Sequence, residues 1–346
     1  MLSGRVMTGH RQGAAFTRID WVREQLITKV GIDPYPGTLN LLLDTAADLA
    51  TWAGLKATQG CPVIPPNSEW CSARCYPVRI GDRLPGAIIF PEVPDYPEPQ
   101  VEVIAALPLR QMLSLADGDQ LTLELPQPIS VRAVIFDVDG TLVDSVEAYR
   151  VVAERAAAPY DIPITREVVC QALNTNHPTF WELVVPGDQP NQAEIIAALK
   201  KEAMRQWPDV LREYGGIFPG LRETLEELKQ QGRRIAIVTG SHGGSLQPLK
   251  EAGLMDFFEA IITGGDVERR KPDPEGLLKC LDVLQVSPDE TVYVGDTPTD
   301  VRASRAAGMA SVAVLTGAGD SALLSAEGPD RIIYSQARLL EVLNLG

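Results

Sequence analysis

The sequence predicts two domains, a small β-barrel followed by an α/β domain whose doubly wound parallel sheet carries a helical cap. A chain of 346 residues favours two domains. Short runs bounded by glycine and proline fill the first part, whereas apolar strand-like runs alternate with helical runs in the second. The pattern changes at residues 126–130, so we place the domains at 1–126 and 127–346.

The composition indicates a globular protein and argues against nucleic-acid and membrane partners. Hydrophobic residues make up 45% of the chain and charged residues 22%, which is enough apolar content for two cores. The net charge of -15 repels phosphate backbones and anionic lipids. No apolar run approaches a membrane span, and the first residues lack the apolar core of a signal peptide. Five cysteines are too few for a disulfide scaffold, so we expect a reduced, cytoplasmic protein.

The first 126 residues have the short alternating runs of a compact barrel. The strand-like runs include GRVMTG, CYPVRI, PGAIIFPEV, VEVIAAL and DQLTLELP. The run WVREQLITKV predicts a helix, because Val22, Leu26 and Val30 share one face. Gly31 supplies the stop signal for this helix.

The second part alternates strands and helices. Five β-branched apolar runs predict strands that are buried on both faces of a parallel sheet: VRAVIF, RRIAIV, EAIIT, TVYV and SVAVL. Helical runs separate them, such as LRETLEELKQQ, which Gly232 ends. From about residue 144 to 216 the pattern is helical without a buried strand, which predicts a helical cap over a site.

Polar residues and one glycine follow the predicted strands at the edge where ligands bind in an open parallel sheet. In chain order they are Asp137, Asp139, Thr239, Gly240, Lys271, Asp296 and Asp300. Asp137 and Asp139 alternate with Val138, so both carboxylates can turn towards the site as the strand ends. We therefore expect these residues to converge on one edge of the sheet.

This set of residue types suits phosphoryl transfer. Several carboxylates can hold Mg2+, which prefers oxygen ligands. One carboxylate can attack phosphorus and form an aspartyl-phosphate, while a neighbouring carboxyl group protonates the leaving oxygen and later activates water. A hydroxyl, a backbone amide and a lysine can hold the non-bridging oxygens. The expected substrate is a small phosphorylated metabolite.

The motifs DVDGTLVDS, VTGS, RRKPDP and GDTPTD, in this order, resemble the four motifs of the haloacid dehalogenase superfamily. The resemblance covers residues 129–346 and is to the phosphatases with a helical cap. It implies that Asp137 is the nucleophile and that Asp139 is the general acid and base. It also implies Mg2+ ligation by Asp137, the Asp139 carbonyl, Asp296 and Asp300, and phosphate binding by Thr239, Gly240 and Lys271.

The conspicuous feature of the first domain is a tight turn, PYPG, that leads into the strand-like run LNLLLD. Thr38 and Asn40 stand two apart on extended chain and point their oxygens to one side. Two neutral oxygens can hold Mg2+ that already carries nucleotide phosphates. Upstream, a loop can offer backbone amides to phosphate, and its residues are Gly9, His10, Arg11, Gln12 and Gly13.

Over residues 4–125 the first domain resembles the archaeal-type CTP-dependent riboflavin kinases, in the runs GRVMTGHRQGAAF, VGIDPYPGTLNL and YPVRIGDRLPGAIIFPEV. The resemblance implies riboflavin, FMN and CTP as ligands, Mg2+ on Thr38 and Asn40, and flavin contact by Glu102. It implies nucleotide binding by the loop of Gly9, His10, Arg11, Gln12 and Gly13, and by Leu107, Pro108, Leu109 and Arg110. The chain departs from the family pattern at Arg11, Ala14, Pro94 and Ala106.

Three hypotheses for the function follow. The first is a bifunctional flavin-pathway enzyme, in which a phosphatase is joined to a riboflavin kinase that uses CTP. The second is a phosphoglycolate-type small-molecule phosphatase with a non-catalytic N-terminal domain for binding or docking. The third is a mutase of the phosphoglucomutase-like branch, which shares the four motifs and differs in its products. Substrate specificity should reside in the cap, where the polar candidates are Arg150, Asn174, Asn176, His177 and Arg205.

Overall fold

The computed structural model describes residues 1–9, 13–81, 83–94, 96, 99–175, 180–188 and 190–343. The internal contacts of the chain divide it into two compact units. One unit consists of Met1–Pro128 and Ser321–Tyr334, and the other of Ile129–Asp320 and the residues from Ser335 onward. A segment near the end of the chain therefore groups with the first unit.

The first unit is built on seven antiparallel strands. Their bounds are β1 Leu2–Met7, β2 Leu39–Leu42, β3 Cys61–Val63, β4 Ala73–Ile80, β5 Leu84–Pro91, β6 Gln100–Ile104 and β7 Gln120–Glu124. The order across the sheet is β3-β4-β5-β6-β2-β1-β7, and β7 also pairs with β4, so that six strands close into a barrel. Closure removes the unpaired strand edges of an open sheet. The predicted barrel is confirmed.

The helices within the first 128 residues that the structure describes are α1 Gly13–Phe16, α2 Asp20–Val30, α3 Ala46–Ala57 and α4 Leu109–Met112. The predicted face of α2 is buried, because Val22, Leu26 and Val30 all pack into the protein. Gly31 follows with a φ of 70°, the left-handed conformation that glycine adopts at little cost when a helix ends. The apolar core of the barrel includes Leu41, Ile80, Ile88, Val101 and Leu123.

The second unit contains five parallel strands. Their bounds are β8 Ala133–Phe136, β11 Arg234–Val238, β12 Ala260–Ile262, β13 Thr291–Gly295 and β14 Ala310–Val314. They lie side by side in the order β12-β11-β8-β13-β14. Every residue of β8 and β13 is buried, as expected for strands covered on both faces. The predicted doubly wound parallel fold is confirmed.

Helices connect these strands, namely α9 Leu221–Gln230, α10 Gln247–Glu251, α11 Glu275–Leu284 and α12 Pro298–Ala306. Leu221, Leu225 and Leu228 form the buried face of α9, and Gly232 follows that helix with a φ of 70°. The second unit also contains short 3-10 turns at Ala158–Tyr160, Gly244–Leu246, Met255–Phe257, Pro288–Glu290 and Gln336–Glu341.

The stretch that the sequence predicts as a cap folds as four helices, α5 Val146–Ala157, α6 Arg166–Asn174, α7 Phe180–Val184 and α8 Gln192–Tyr214. Two short strands pair at its base, β9 Val143–Asp144 and β10 Gly216–Ile217. This pairing brings the entry and the exit of the insertion together, so the cap is a separate helical lobe of the second unit.

The segment that groups with the barrel contains helix α13 Ser321–Glu327 and strand β15 Arg331–Ile333. The Ser321 hydroxyl donates to the Gly31 carbonyl at 3.1 Å and accepts from the Asp33 N–H at the same distance. Among the residues that the structure describes, no helix is both long and apolar enough to cross a bilayer.

Candidate active site

Three of the predicted site residues stand directly after parallel strands. Asp137 follows β8, Thr239 follows β11 and Asp296 follows β13. The Asp137 N–H donates to the Val294 carbonyl and the Thr239 N–H to the Ile262 carbonyl, both at 2.9 Å, so sheet pairing continues into the site. The connection after β8 leads to β11 on one side, whereas the connection after the adjacent β13 leads to β14 on the other side, and such a switch point opens a crevice.

Lys271 joins two carboxylates at this crevice. Its Nζ lies 2.6 Å from Asp137 Oδ1 and 2.6 Å from Asp300 Oδ1, and it donates to the Tyr293 hydroxyl at 2.9 Å. The Lys271 side chain is only 12% exposed and those of the two aspartates still less, so water screens these ion pairs weakly. The structure thus brings two distant motifs into direct contact.

Helix α12 fixes the orientation of Asp300. Thr297 is the N-cap of this helix, and Asp300 stands three residues later in a capping box. Asp300 Oδ2 accepts from the Thr297 N–H at 3.0 Å and from the Thr297 hydroxyl at 2.6 Å. One carboxylate oxygen therefore caps the helix, which turns the other towards Lys271.

The carboxylates of Asp137, Asp296 and Asp300 form a buried cluster whose oxygens lie within 4.8 Å of one another. Burial, followed by the charges of Asp300 and Asp137, raises the pKa of Asp296 well above its ordinary value. Burial also raises the pKa of Asp137 to about 7, although Lys271 opposes that shift. One lysine thus faces three carboxylates. A hard divalent cation such as Mg2+ fits this all-oxygen donor set and would offset the excess negative charge.

Asp139 lies one residue beyond Val138, and its Oδ1 is buried with no hydrogen-bond partner among the described residues. Burial raises the pKa of Asp139, while the hydroxyls of Ser245, Ser145 and Tyr149 oppose the shift. A carboxyl group that keeps its proton closer to neutral pH is suited to donate that proton to a leaving oxygen.

Two glycines allow the backbone to approach Asp296. Gly140 has a φ of 78°, and a Cβ there would lie 2.5 Å from Asp296 Oδ2. A Cβ at Gly317 would lie 1.9 Å from the same oxygen. That oxygen accepts from the Ala318 N–H at 2.8 Å, and Asp296 Oδ1 accepts from the Thr141 hydroxyl at 3.3 Å. A side chain at either glycine would displace the carboxylate.

Thr239 and Gly240 line the same edge. Thr239 Oγ1 accepts from the Ser241 N–H at 3.2 Å. The space beside the Gly240 Cα is open, since a Cβ there would meet only the Lys271 Cε, at 4.0 Å. The Gly240 backbone and the Lys271 side chain therefore border the same open space.

Sequence patterns did not single out Tyr293, which lies at the centre of the site. Its buried hydroxyl accepts from Lys271 and lies 2.9 Å from the Val238 carbonyl and 3.2 Å from Asp300 Oδ1. The sequence did contain a signal, because Tyr293 places a polar phenol hydroxyl in the apolar run TVYV of a buried strand. The Ala318 N–H was also missed, and a backbone donor in a loop leaves no side-chain signal to find.

In the first unit, a cavity of about 210 Å³ brings the PYPG turn and the second nucleotide segment together. Its lining includes Thr38, Leu107, Pro108, Leu109 and Arg110. The Arg110 guanidinium pairs with Asp117 at 2.7 Å and donates to the Met7 carbonyl at 3.0 Å. Arg110 thus reaches the cavity while part of its hydrogen-bonding capacity is engaged.

The described ends of the predicted phosphate loop pass against the predicted metal ligands. A Cβ at Gly9 would lie 2.3 Å from Asn40 Nδ2, and a Cβ at Gly13 would lie 2.4 Å from Thr38 Oγ1. Outside the described residues lie His10, Arg11 and Gln12. Asn40 Oδ1 accepts from Gln100 Nε2 at 2.7 Å, which leaves one lone pair of that oxygen. Two neutral oxygens of this kind fit a cation that arrives with a nucleotide.

Glu102 lies on β6, and its Oε1 accepts from the Tyr96 hydroxyl at 2.9 Å. The Tyr96 ring packs edge-on against Phe90, with the centroids 5.5 Å apart. Burial, followed by the charge of Glu102, raises the pKa of Tyr96.

Of the departures from the kinase pattern, Pro94 is exposed and Ala14 lies in α1.

The polar cap candidates differ in their surroundings. Arg150 and Arg205 both pair with glutamates of their own helices. Asn174 is buried and donates to the Ala318 carbonyl at 2.7 Å, so it contacts the loop that holds Asp296. Outside the described residues lie Asn176 and His177. Asn174 is thus the described cap candidate that reaches the site.

Comparison with known families decides the identity of the second unit. Residues 134–314, more than half of the chain, match the family model of haloacid dehalogenase-like hydrolases. The chain belongs to this family. Residues 6–125 match the model for CTP-dependent riboflavin kinases, which carries the description "Domain of unknown function DUF120". Both resemblances found in the sequence are confirmed.

The curated relatives of this haloacid dehalogenase-like protein include phosphoglycolate phosphatases. It is 30% identical over 236 residues to a phosphoglycolate phosphatase of Shigella sonnei, and 29% to that of Escherichia coli K12; each match covers 62% of this chain and 93% of the relative. A phosphoglycolate phosphatase of Pseudomonas putida is 30% identical over 60% of this chain and 78% of its own. The predicted phosphatase class is confirmed.

Solved structures agree with this fold. A haloacid dehalogenase-like hydrolase from Bacteroides fragilis is 28% identical, with a TM-score of 0.55 over 61% of this chain and 100% of the other. A predicted phosphoglycolate phosphatase from Haemophilus somnus has a TM-score of 0.57 over 61% of this chain and 97% of its own, at 23% identity. The second similarity concerns the fold alone.

Proposed function

We propose that the haloacid dehalogenase-like unit hydrolyses phosphomonoesters with Mg2+, through an aspartyl-phosphate on Asp137. We further propose that the barrel is a riboflavin kinase that uses CTP, and that residues 1–126 and 127–346 act as two catalytic domains of one flavin-pathway enzyme. The observation that carries the first proposal is the contact of Lys271 with both Asp137 and Asp300 beside the buried Asp296.

In the first step, a carboxylate oxygen of Asp137 attacks phosphorus, and the bond between phosphorus and the leaving oxygen breaks. Asp139 donates its proton to that oxygen, which leaves as the alcohol. In the second step, Asp139 takes a proton from water as the water oxygen attacks phosphorus. This attack breaks the acyl-phosphate bond and restores the Asp137 carboxylate. Thr239, the Gly240 amide and Lys271 hold the non-bridging oxygens in both steps.

The residues that would hold Mg2+ are Asp137, the Asp139 carbonyl, Asp296 and Asp300. When bound, Mg2+ supplies positive charge against the oxygens of the phosphoryl group. The protein prepares this place by burying three carboxylates and by fixing Asp300 through the cap of α12. The Ala318 N–H and the Thr141 hydroxyl orient Asp296 in the same way.

Within the flavin pathway, two phosphatase substrates fit the fusion, FMN itself or a phosphorylated ribityl precursor of riboflavin. A second candidate function is a phosphoglycolate-type phosphatase whose barrel is a non-catalytic binding domain. The curated relatives favour this candidate. The pairing of Arg110 with Asp117 favours it too, because it engages part of the guanidinium that would bind the nucleotide. A phosphate-release screen over FMN, phosphoglycolate and sugar phosphates, with riboflavin plus CTP assayed in parallel, separates the two.

We expect Asp139→Asn to depress hydrolysis in a way that depends on the leaving group. An alkyl phosphate needs the proton from Asp139, whereas p-nitrophenyl phosphate has a leaving group that departs without it. We therefore expect kcat/KM to fall by about 10^3-fold for the alkyl ester and by a smaller factor for the aryl ester. The matched control is Asp144→Asn, at an exposed aspartate of β9. Equal losses of kcat/KM on both esters would show that Asp139 is not the general acid.

Lys271→Ala should lower both the rate and the metal-free stability. The change leaves Asp137 and Asp300 buried without their shared cation, which costs on the order of 3 kcal/mol. Loss of the positive charge that Lys271 places against the phosphate should lower kcat/KM by about 100-fold. The measurements are steady-state kinetics and thermal unfolding with and without Mg2+, with the exposed Lys279→Ala as control. An unchanged rate with saturating Mg2+ would show that Lys271 does not bind the phosphate.

A further inference from the structure

The cap carries a cluster of aromatic side chains from three of its helices. Tyr149 lies on α5, Phe180 on α7 and Trp207 on α8. The Tyr149 ring centroid is 4.5 Å from that of Trp207 and 6.2 Å from that of Phe180. All three residues remain partly exposed, whereas the neighbouring Trp181 is buried. The three residues of the cluster therefore keep part of their surface open to solvent.

This aromatic cluster lies against the loops of the candidate active site. The Cδ1 and Nε1 atoms of the Trp207 indole would lie 3.2 Å from a Cβ at Gly244, in the loop that follows Thr239. The Tyr149 hydroxyl faces Asp139 and Ser245, and the negative charge of Asp139 adds to burial in raising the pKa of Tyr149. The rings thus adjoin the carboxyl group that would protonate the leaving oxygen.

The arginines in the described part of the cap are already engaged with carboxylates of the protein. All five arginines in the described part of the cap form ion pairs with acidic side chains: Arg150, Arg155, Arg166, Arg205 and Arg212. Their guanidinium charge is therefore already directed to carboxylates of the protein. A carboxylate placed against the rings would lose hydration without gaining an arginine, which opposes its binding.

We propose that Tyr149, Phe180 and Trp207 form the leaving-group subsite, and that the substrates are phosphomonoesters whose alcohol portion presents an uncharged planar ring to them. The inference rests on the proposed phosphatase function and names its substrate class. Planar rings gain from offset or edge-on contact with aromatic side chains beyond the area that they bury. A phosphorylated hydroxy acid, which carries a carboxylate next to its phosphate, is disfavoured at such a subsite.

The test compares esters with similar leaving alcohols in the full-length protein with Mg2+. The probes are benzyl phosphate, cyclohexylmethyl phosphate and phosphoglycolate. We expect the highest kcat/KM for benzyl phosphate and the lowest for phosphoglycolate. Trp207→Leu should lower kcat/KM for benzyl phosphate by roughly 10-fold, mainly through KM, and change the value for phosphoglycolate by less than about 2-fold. Trp207→Phe should keep most of the preference because it keeps a ring.

The matched control is Arg212→Ala, on the same helix and at an exposed ion pair, which should leave all three values unchanged. A higher kcat/KM for phosphoglycolate than for benzyl phosphate would overturn the proposal. Equal losses on all esters in Trp207→Leu would also overturn it, since the cluster would then serve only the packing of the cap.

A binding measurement separates this inference from the phosphatase proposal. Calorimetry of the wild-type protein with benzylphosphonate and with phosphonoacetate reports the subsite without turnover. Tighter binding of benzylphosphonate, lost in Trp207→Leu, supports the subsite even where no ester is hydrolysed, and absent hydrolysis then contradicts the phosphatase proposal alone. Tighter binding of phosphonoacetate overturns the subsite whatever the hydrolysis shows.

Discussion

Asp137→Asn is expected to abolish phosphomonoester hydrolysis. The amide that replaces the carboxylate is a very poor nucleophile, and loss of a nucleophile that acts in concert with its partners costs on the order of 10^4-fold or more in kcat. The substitution is nearly isosteric, so the fold should be retained. The measurement is phosphate release at saturating Mg2+, together with the unfolding temperature.

The same variant separates the covalent mechanism from a direct attack by water. In a direct attack, the remaining carboxylates would still orient water, so more than a few per cent of the wild-type rate would survive. Such a residual rate in Asp137→Asn, at a metal concentration that saturates the variant, contradicts the covalent mechanism. Asp144→Asn again serves as control, because its carboxylate lies outside the buried cluster.

The second large effect is expected in the barrel. Thr38→Ala combined with Asn40→Ala removes both of the oxygens that would hold the cation of the nucleotide. We expect FMN formation from riboflavin and CTP to vanish, while phosphatase activity of the same preparation persists. Liquid chromatography of the flavins and phosphate release measure the two. If the kinase is active, it should use CTP in preference to ATP.

Asn40 also has a structural partner, so its replacement could lower stability. A second variant that keeps Asn40 is therefore needed beside the double variant. Its Oδ1 accepts from the buried Gln100, and removal of the amide leaves that donor without its partner, at a cost of about 1–3 kcal/mol. Thr38→Val keeps the shape of the side chain and removes only the oxygen. Thr51→Ala, which removes a hydroxyl that donates to the Ala47 carbonyl within α3, is the control. Retained kinase activity in Thr38→Val and in the double variant would show that these oxygens are not needed for the kinase reaction.

The sequence predicted the strand-end residues of the phosphatase domain for a physical reason. Parallel strands end at one edge of their sheet, so residues that directly follow such strands must meet there. Asp137, Thr239 and Asp296 are of this kind, and the structure places each after its strand. Lys271 comes from a loop, where spacing alone does not decide which group a side chain contacts.

The local patterns did not identify other features of the fold and the site. The Tyr293 hydroxyl serves the site from inside a strand, because a phenol is long enough to reach from the sheet to Lys271. The contact of Asn40 with Gln100 joins neighbouring strands, which local periodicity does not specify. The segment Ser321–Tyr334 has the ordinary helix and strand patterns of an α/β domain, yet its contacts group it with the barrel.

The central claim is that Asp137 carries the phosphoryl group, and one measurement tests it most directly. The protein is mixed with substrate and Mg2+ for less than one turnover, quenched in acid and digested with trypsin, and the peptide of residues 133–150 is analysed by mass spectrometry. We predict a mass gain of one phosphoryl group on that peptide, located at Asp137 by reductive trapping and absent from Asp137→Asn. Phosphate release at the full rate with this peptide unmodified at every time point would contradict the covalent mechanism.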